Sequence, residues 1–336
     1  MRPSRCNSTG RERASRFISL AVEASSGGTT TVPPRVVSLL PSATEIVAAL
    51  GVQPVATSHE CDYPPEVEGL PSVVESRIDA SASSAEIDSQ VLESASDGGV
   101  YRIDREALAA ADPDVVISQG ICEVCAVDTV VVEAAIEELG LDCELVTTDP
   151  HSVEDILSDI DAIGEALDRE DRAAELVDDL RGRIDRVATR AAESPIAPEV
   201  AVLDWLDPPM VAGHWVPELV ELAGGEYGLA DPGDASTPRE WAEIREYDPD
   251  ILVAAPCGFG LVQTAENRRD LTEQPGWSSL RAVRMNRVYA VDGHHLMNRP
   301  GPRVVDTLET LAALIQPESF EAPEPWMARP FSELSE

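Results

Sequence analysis

Residues 104–120, DREALAAADPDVVISQG, and residues 239–258, REWAEIREYDPDILVAAPCG, carry the same pattern. Each stretch predicts an amphipathic helix, then an Asp-Pro-Asp turn, then a buried strand. Strands that alternate with helices form parallel sheets covered by helices, so each stretch indicates an α/β unit. Because the pattern occurs twice, we expect two related lobes.

The sequence around each copy extends the same plan. Residues 35–51, RVVSLLPSATEIVAALG, predict a strand, a turn at Pro41-Ser42 and a helix that Gly51 closes. Residues 199–225, EVAVLDWLDPPMVAGHWVPELVELAGG, repeat the order of strand, loop, helix and glycine stop. Further strands are predicted at residues 53–58, 141–149 and 286–293, and a further helix at residues 129–139.

Residues 152–194 lie between the two copies, contain no proline and place apolar residues at helical spacing. A helix over residues 172–193 would span roughly 33 Å at 1.5 Å per residue. A coiled coil is the alternative, but the apolar positions are too few for sustained heptads. We therefore expect the α/β class, with two Rossmann-like parallel-sheet lobes joined by a long helix.

The predicted domain boundaries follow from these patterns. They are a disordered N-terminal segment at residues 1–34, an N-terminal α/β lobe at residues 35–151, a linking helix region at residues 152–194, a C-terminal α/β lobe at residues 195–320 and a tail at residues 321–336.

The N-terminal segment is rich in Ser, Thr, Gly and Arg, and its only apolar run, residues 17–22, is too short for a signal-peptide core. No stretch reaches the roughly 18 apolar residues of a membrane helix. We therefore expect a cytoplasmic protein without membrane insertion. A wrongly assigned start codon would place it at the cell surface instead.

The charge of the chain is strongly acidic. The sequence has 62 Asp and Glu against 25 Arg, no Lys, and a formal net charge of −37. Such a surface repels nucleic acid and anionic lipid, which both need a basic footprint. It suits concentrated salt, where screening removes most of the self-repulsion. We therefore expect a halophilic source, no nucleic-acid partner, and a fold that loosens when the salt is diluted.

Unusual side chains follow several of the predicted strands. Ligands bind beyond the carboxyl ends of the strands in open α/β sheets, so we expect these side chains to line one cleft between the lobes. The candidate ligand-binding residues are Tyr63, Trp205, Pro208, Pro209, His214, Trp215, Phe259, Arg299 and Arg303. The adjacent histidines His294 and His295 would point to opposite faces if they lay on a strand, which weakens their joint use as ligands.

The stretches RVVSLLPSATEIVAALG, DYPPEV, DPDVVISQG, LDPPMVAGHWVPELVELAGG and RPGPR resemble the cobalamin-binding and siderophore-binding proteins of ABC importers. The resemblance covers residues 35–317 and is nearest to the cobalamin binders. It implies two α/β lobes, a ligand in the cleft between them and little hinge motion. The HEC (59–61) and CEVCAV (122–127) stretches resemble a subgroup of cobalamin-binding proteins without export signals.

The resemblance makes non-enzymatic binding of a corrinoid such as cobalamin the leading functional prediction. Planar macrocycles need aromatic and apolar walls with a few placed polar groups. Tyr63, Trp205 and Phe259 are among the predicted walls, and the imidazole of His59 or His214 suits a cobalt ion. Arg299 and Arg303 are predicted to meet carboxamides or a phosphate. The resemblance also implies a monomer that docks on a membrane permease through the carboxylates of Glu106 and Glu221.

Three alternatives remain open from the sequence. Cys122 and Cys125, two residues apart, with Cys61 and His59 would make a Cys₃His set suited to zinc or cobalt, as in a metallochaperone. The second alternative is the binding of an iron siderophore in the same cleft. The third is a thiol-dependent enzyme that processes corrinoids, although no common catalytic motif is present.

Overall fold

The computed structural model describes residues 33–95, 99–120, 127 and 129–334. The first lobe is built on a six-stranded sheet with the strand order β4-β3-β2-β1-β5-β6. The strands are β1 (Val36–Ser38), β2 (Ala56–Ser58), β3 (Ser72–Ser76), β4 (Tyr101–Ile103), β5 (Val115–Gln119) and β6 (Glu144–Thr148). Neighbouring strands are parallel except for β4, which is an antiparallel edge strand on β3.

Four helices connect these strands. They are α1 (Pro41–Ala49), α2 (Ser84–Ala95), α3 (Arg105–Ala111) and α4 (Thr129–Leu139). Pro41 is the first residue of α1, where its missing N–H is no loss. Gly51 follows the helix with a φ of 78°, the left-handed conformation that glycine adopts without strain. The predicted glycine stop is therefore present.

The linking region consists of two packed helices, α5 (Val153–Ala166) and α6 (Glu170–Ala191). The chain turns between them at Asp168, which has a φ of 55°. A Cβ atom on Gly164 would lie 2.5 Å from the Cβ of Ala173, so the close approach of the two helices requires glycine there. At 22 residues, α6 spans roughly 33 Å, the length expected from the sequence.

The second lobe has a six-stranded sheet with the order β12-β11-β10-β7-β8-β9. Its strands are β7 (Val200–Leu206), β8 (Pro209–Val211), β9 (Thr237–Pro238), β10 (Ile251–Ala254), β11 (Val288–Val291) and β12 (Ala328–Pro330). Its helices are α7 (Val216–Leu222), α8 (Trp241–Tyr247), α9 (Leu261–Glu266), α10 (Arg269–Thr272), α11 (Arg281–Arg284) and α12 (Val304–Ile315). Only β7, β10 and β11 run parallel, and the other three strands are antiparallel to their neighbours.

The two Asp-Pro-Asp turns have the same structure. Asp112 ends α3 with a φ of 43°, and Asp248 ends α8 with a φ of 49°. Two residues later, a carboxylate oxygen of Asp114 accepts a hydrogen bond from the Arg35 backbone N–H at 2.7 Å. In lobe two, the carboxylate of Asp250 accepts from the backbone N–H before β7 at 3.1 Å. The repeated turn therefore ends a helix and fixes the start of the first strand in each lobe.

One hydrophobic core runs through both lobes and the linking helices, and α12 lies almost wholly inside it. A second, smaller cluster covers the other face of the first sheet. The expected α/β fold of two lobes is confirmed, with mixed rather than purely parallel sheets. Residues 1–32 lie outside the described residues, and the domain boundaries stay a prediction, although β12 from the predicted tail pairs with β11.

Candidate functional site

Two strand-end loops, one from each lobe, meet directly in the cleft. The loop after β2 carries Asp62, and the turn after β11 carries His294 and His295. Asp62 Oδ2 lies 2.8 Å from His294 Nε2 and 3.1 Å from His295 Nε2. The carboxyl ends of the strands therefore bring a carboxylate and two imidazoles from distant parts of the chain together.

The neighbouring histidines lie on the same side of the chain. Gly293–Met297 form a single π-helical turn, and the carboxylate of Asp292 accepts a hydrogen bond from the His295 backbone N–H at 2.6 Å. The two imidazole rings are 4.5 Å apart and nearly perpendicular. The expectation that they point to opposite faces is wrong, because it assumed strand geometry and the chain has already left β11.

Hydrogen bonds around Asp62 dominate its electrostatics. Burial would raise the pKa of Asp62, but hydrogen bonds with His294, His295 and Arg299 outweigh burial and hold the pKa well below its usual range. Hydrogen bonds with Asp292 and then Asp62 raise the pKa of His295 to about 9. Asp62 is therefore an anion near neutral pH.

Arg299 and Arg303, predicted as ligand contacts, form a buried ion-pair cluster with Glu45 of α1. Arg303 donates to both carboxylate oxygens of Glu45, at 2.8 and 2.5 Å, and Arg299 Nη1 donates at 3.1 Å. Glu45 is 3%, Arg299 4% and Arg303 7% exposed. The Arg303 guanidinium also lies 4.2 Å from the centre of the Tyr63 ring, within the range of a cation–π contact. Both arginines tie lobe two to lobe one.

Trp205 and Phe259 form an aromatic pair at the carboxyl ends of β7 and β10. Their ring centres are 5.1 Å apart with a tilt of 60°. The indole Nε1 of Trp205 is buried and has no hydrogen-bond partner among the described residues. Pro208 is exposed in the turn after β7, whereas Pro209 is buried in β8.

His214 and Trp215 follow β8 but differ in environment. His214 has a φ of 52°, and its ring lies 5.5 Å from that of His151, which follows β6 of the first lobe. Burial, and then the charge of His151, lower the pKa of His214. Its Nδ1 is buried without a partner among the described residues. Trp215 is 7% exposed and donates to the Met297 carbonyl at 3.3 Å, so it packs in the core.

In the HEC stretch after β2, the side chains of His59 and Cys61 already have hydrogen-bond partners. His59 Nε2 lies 3.1 Å from Glu60 Oε1, and this hydrogen bond lowers the pKa of Glu60. The Thr44 hydroxyl donates to Cys61 Sγ at 3.0 Å, and burial raises the pKa of the Cys61 thiol to about 11. Cys61 is therefore a neutral thiol in the lobe-one core, which disfavours it as a metal ligand.

Cys122 and Cys125 lie outside the described residues, so the Cys₃His set stays a prediction. Cys257, after β10, is a half-buried free thiol. The predicted docking residues Glu106, in the first turn of α3, and Glu221, in α7, are both exposed. Exposed carboxylates on both lobes fit the docking prediction without testing it.

Further contacts between the lobes escaped the sequence analysis. Ser84, the first residue of α2, donates its backbone N–H to Asn267 Oδ1 at 3.1 Å and its hydroxyl to the carboxylate of Asp270. Gln263 Nε2 donates to the Ala80 carbonyl at 2.7 Å. Glu45 was missed as well. The one available signal was its place in an otherwise apolar helix, since a buried carboxylate needs a partner.

The comparisons with known proteins agree with this architecture. The family described as Periplasmic binding protein matches residues 36–294, and the chain belongs to that family. The chain is 25% identical over 296 residues to YvrC of Bacillus subtilis, an uncharacterised ABC transporter substrate-binding lipoprotein, covering 86% of this chain and 82% of the relative. The chain is therefore the solute-binding component of an ABC uptake system, with a permease as its partner, and is not an enzyme.

Solved structures share the fold at lower identity. A periplasmic heme-binding protein from Pseudomonas aeruginosa matches with a TM-score of 0.67 and 24% identity, covering 88% of this chain and 97% of that chain. The vitamin B12-binding protein BtuF of Vibrio cholerae matches with a TM-score of 0.60 and 20% identity, covering 84% of this chain and 97% of that chain. These likenesses confirm the two-lobed fold.

The same comparisons correct the predicted location. The curated relative is an ABC transporter lipoprotein, so the prediction of a cytoplasmic protein is wrong. No helix within the described ranges is long and apolar enough to cross a membrane.

Proposed function

We propose that this solute-binding protein carries a corrinoid of the cobalamin class in the cleft between its lobes. The observation that carries the proposal is a pair of buried polar atoms beside aromatic rings, Trp205 Nε1 and His214 Nδ1, which lack partners among the described residues. Buried polar groups are normally hydrogen-bonded. A corrinoid supplies matching groups, because its rim carries carboxamides that both donate and accept.

Both polar atoms lie where the lobes face each other. Trp205 is at the end of β7, the strand that α2 of the first lobe packs against, and its ring packs at a tilt against Phe259. His214 lies against His151 from the first lobe. Aromatic walls with a few placed polar groups are the usual lining of a macrocycle site.

Charge favours a corrinoid over haem or an anionic iron siderophore. Haem carries two carboxylates, and the two buried arginines of the cleft are already paired with Glu45 and Asp62. The chain as a whole carries a formal net charge of −37. An amide-rich ligand without net negative charge therefore meets less repulsion here than a dianion.

Haem is the second candidate, because His294 and His295 present imidazoles in the cleft and imidazole is a common axial ligand of haem iron. The test is a set of titrations of the full chain in molar salt with cobalamin, cobinamide, haemin and a ferric siderophore. Absorption spectra and the unfolding temperature are the readouts. We expect both corrinoids to bind. Binding of haemin or the siderophore alone would overturn the corrinoid assignment.

Trp205 provides the sharpest variant test. Trp205→Phe keeps an aromatic ring against Phe259 and removes only the indole N–H, so we expect a loss of affinity of about 2- to 10-fold. Trp205→Ala also removes the aromatic wall, and we expect a further loss of at least about 10-fold. Trp277→Phe is the matched control, because Trp277 packs on Trp241 and Phe331 outside the cleft. Equal effects of W205F and W277F would contradict a role for the indole N–H.

We also propose that Glu106 and Glu221 contact arginines of the permease, as the family resemblance implies. Both are exposed, one on each lobe. The double variant E106A/E221A is expected to bind cobalamin normally and to lose binding to the permease. Glu133→Ala, an exposed carboxylate of α4, is the control. Unchanged permease binding of the double variant would exclude these residues as the docking carboxylates.

A further inference from the structure

We propose that Asp62, His294 and His295 form a binding site for one divalent transition-metal ion, with zinc as the best fit. One ligand atom from each residue can be chosen so that all three lie within 4.8 Å of one another. The contacts of Asp62 Oδ2 with the two Nε2 atoms, at 2.8 and 3.1 Å, are a few tenths of an ångström shorter than the spacing of about 3.3 Å between ligands of a tetrahedral site with metal–ligand bonds of about 2.0–2.1 Å, so these atoms would move apart slightly when an ion binds.

The surroundings of the three residues resemble the outer shell of a metal centre. His295 Nδ1 lies 3.1 Å from Asp292 Oδ2, so that carboxylate can keep the Nδ1 proton when the ion displaces the Nε2 proton that faces Asp62. Arg299 Nη1 donates to Asp62 Oδ1 at 2.8 Å and leaves Oδ2 for the ion. Metal-bound histidines typically donate their other ring N–H to a carboxylate or carbonyl in this way.

A contact of Arg299 must also change when an ion binds. Arg299 Nη2 lies 3.2 Å from His294 Nε2, the atom that would coordinate the metal. This contact has to lengthen, while the Arg299 contacts with Glu45 and Asp62 Oδ1 can remain. The side chains of Asp62, His294 and His295 are 33%, 23% and 38% exposed, so an ion can reach them from solvent.

The donor set selects the class of metal. Two imidazole nitrogens and one carboxylate oxygen suit zinc and its neighbours cobalt and nickel better than calcium or magnesium, which prefer oxygen ligands alone. Three protein ligands leave a coordination position for water or for a donor atom of a bound solute. Because Asp62 comes from the first lobe and both histidines from the second, the ion would link the lobes across the cleft.

The site differs in chemistry from the predicted Cys₃His set, and its test is made without solute. Its donors are nitrogen and oxygen, whereas the Cys₃His set has three sulfurs. Co²⁺ bound by thiolates shows a strong ligand-to-metal charge-transfer absorption in the near ultraviolet, and Co²⁺ bound by imidazole and carboxylate does not. The spectrum therefore distinguishes the two sites.

The experiment uses the full chain, stripped with a chelator and dialysed in molar salt without solute. It is titrated with Zn²⁺ by calorimetry and with Co²⁺ by absorption. We expect one ion per chain, visible Co²⁺ bands without thiolate charge transfer, and the same result after alkylation of the cysteines. A thiolate band, or loss of binding on alkylation, would assign the metal to the cysteines and overturn the proposal. Absence of binding would overturn it as well.

Variants then locate the ion. His294→Gln and His295→Gln are expected to lose at least about 10-fold in Zn²⁺ affinity, and Asp292→Asn roughly 10- to 100-fold through His295. His151→Gln is the control, since His151 lies elsewhere and pairs with Asp149. Circular dichroism in the same buffer checks that each variant folds. Unchanged affinity in folded H294Q and H295Q would overturn the assignment.

Discussion

Two carboxylates of the first lobe reach into the second lobe, and their surroundings differ. Glu45 lies in a helix, is 3% exposed and meets two arginines that are themselves buried. Asp62 lies in a loop, is one-third exposed and meets two imidazoles besides Arg299. The Glu45 contact is buried and pairs the carboxylate with guanidinium groups, which stay charged. The Asp62 contact is partly exposed to solvent and includes two imidazoles, which can gain or lose a proton.

This difference indicates that the Glu45 cluster holds the lobes together and that the Asp62 cluster is available for binding. Removing one partner from a buried ion pair leaves an uncompensated charge, so the Glu45 cluster is fixed in place. Breaking the contacts of Asp62 requires less free energy, because the cluster is exposed to solvent and imidazole can bind either a proton or a metal. We therefore regard Glu45 as a structural link between the lobes and Asp62 as part of a binding site.

The largest expected effect on stability tests the structural link made by Glu45. Glu45→Gln leaves the buried guanidinium groups of Arg299 and Arg303 without a counter-charge, and we expect the free energy of unfolding to fall by about 3–5 kcal/mol. Denaturant unfolding in molar salt measures this change. Glu309→Gln is the control, because Glu309 is 46% exposed and its partner Arg183 keeps Asp306, so a change below about 1 kcal/mol is expected. Equal losses of stability in E45Q and E309Q would contradict the claim that the buried Glu45 cluster links the lobes more strongly than a surface ion pair does.

A middle-sized effect tests the site. Asp62→Asn removes the charge facing Arg299 and the imidazoles, and we expect a loss of about 1 kcal/mol after allowance for solvent screening. The loss should shrink as salt is raised, because the cluster is partly exposed. The loss in E45Q should change little with salt, because Glu45 is buried. Denaturant unfolding of both variants at several salt concentrations measures the two losses. If both losses change with salt to the same extent, the distinction between the buried and the exposed cluster is wrong.

The smallest effect comes from a carboxylate with no partner. Asp159 Oδ2 in α5 is buried without a hydrogen bond among the described residues, and burial, then Asp155 and Asp149, raise the pKa of Asp159 to about 7. The folded state therefore holds this proton more tightly than the unfolded state, and its contribution to stability falls as pH rises from about 4 to about 7.

Asp159→Asn removes that dependence. Relative to the unchanged chain, D159N should gain about 0.5–1 kcal/mol at pH 8, after a discount for partial exposure, and almost nothing at pH 4. Asp161→Asn, an exposed carboxylate of the same helix, is the control. Thermal unfolding at the two pH values reads out the difference. A gain that is the same at both pH values would mean that Asp159 is not protonated in the fold.

Local chemistry made much of the fold predictable. The Asp-Pro-Asp turns were readable because aspartate tolerates the left-handed conformation and proline cannot continue a helix. Strand β3 and the antiparallel strands β4, β8, β9 and β12 were not foreseen. Most of them are only two or three residues long, and a strand that short has no detectable periodicity.

The candidate site was predictable only in part. The sequence placed histidines, arginines and aromatic residues after the right strands, because strand ends follow from the order of elements. It did not show that Arg303 faces Glu45, since these residues are 258 positions apart and nothing local links them. It also did not show that His294 and His295 share one side, because a single π-helical turn depends on the Asp292 cap.

The sequence by itself determined the two α/β lobes, the linking helices and the set of reactive side chains at the strand ends. These depend on patterns within about 20 residues, where backbone preferences and apolar spacing act. The tertiary structure alone decided which side chains are paired and which are available. That choice depends on burial and on contacts between the lobes, which join residues more than 200 positions apart.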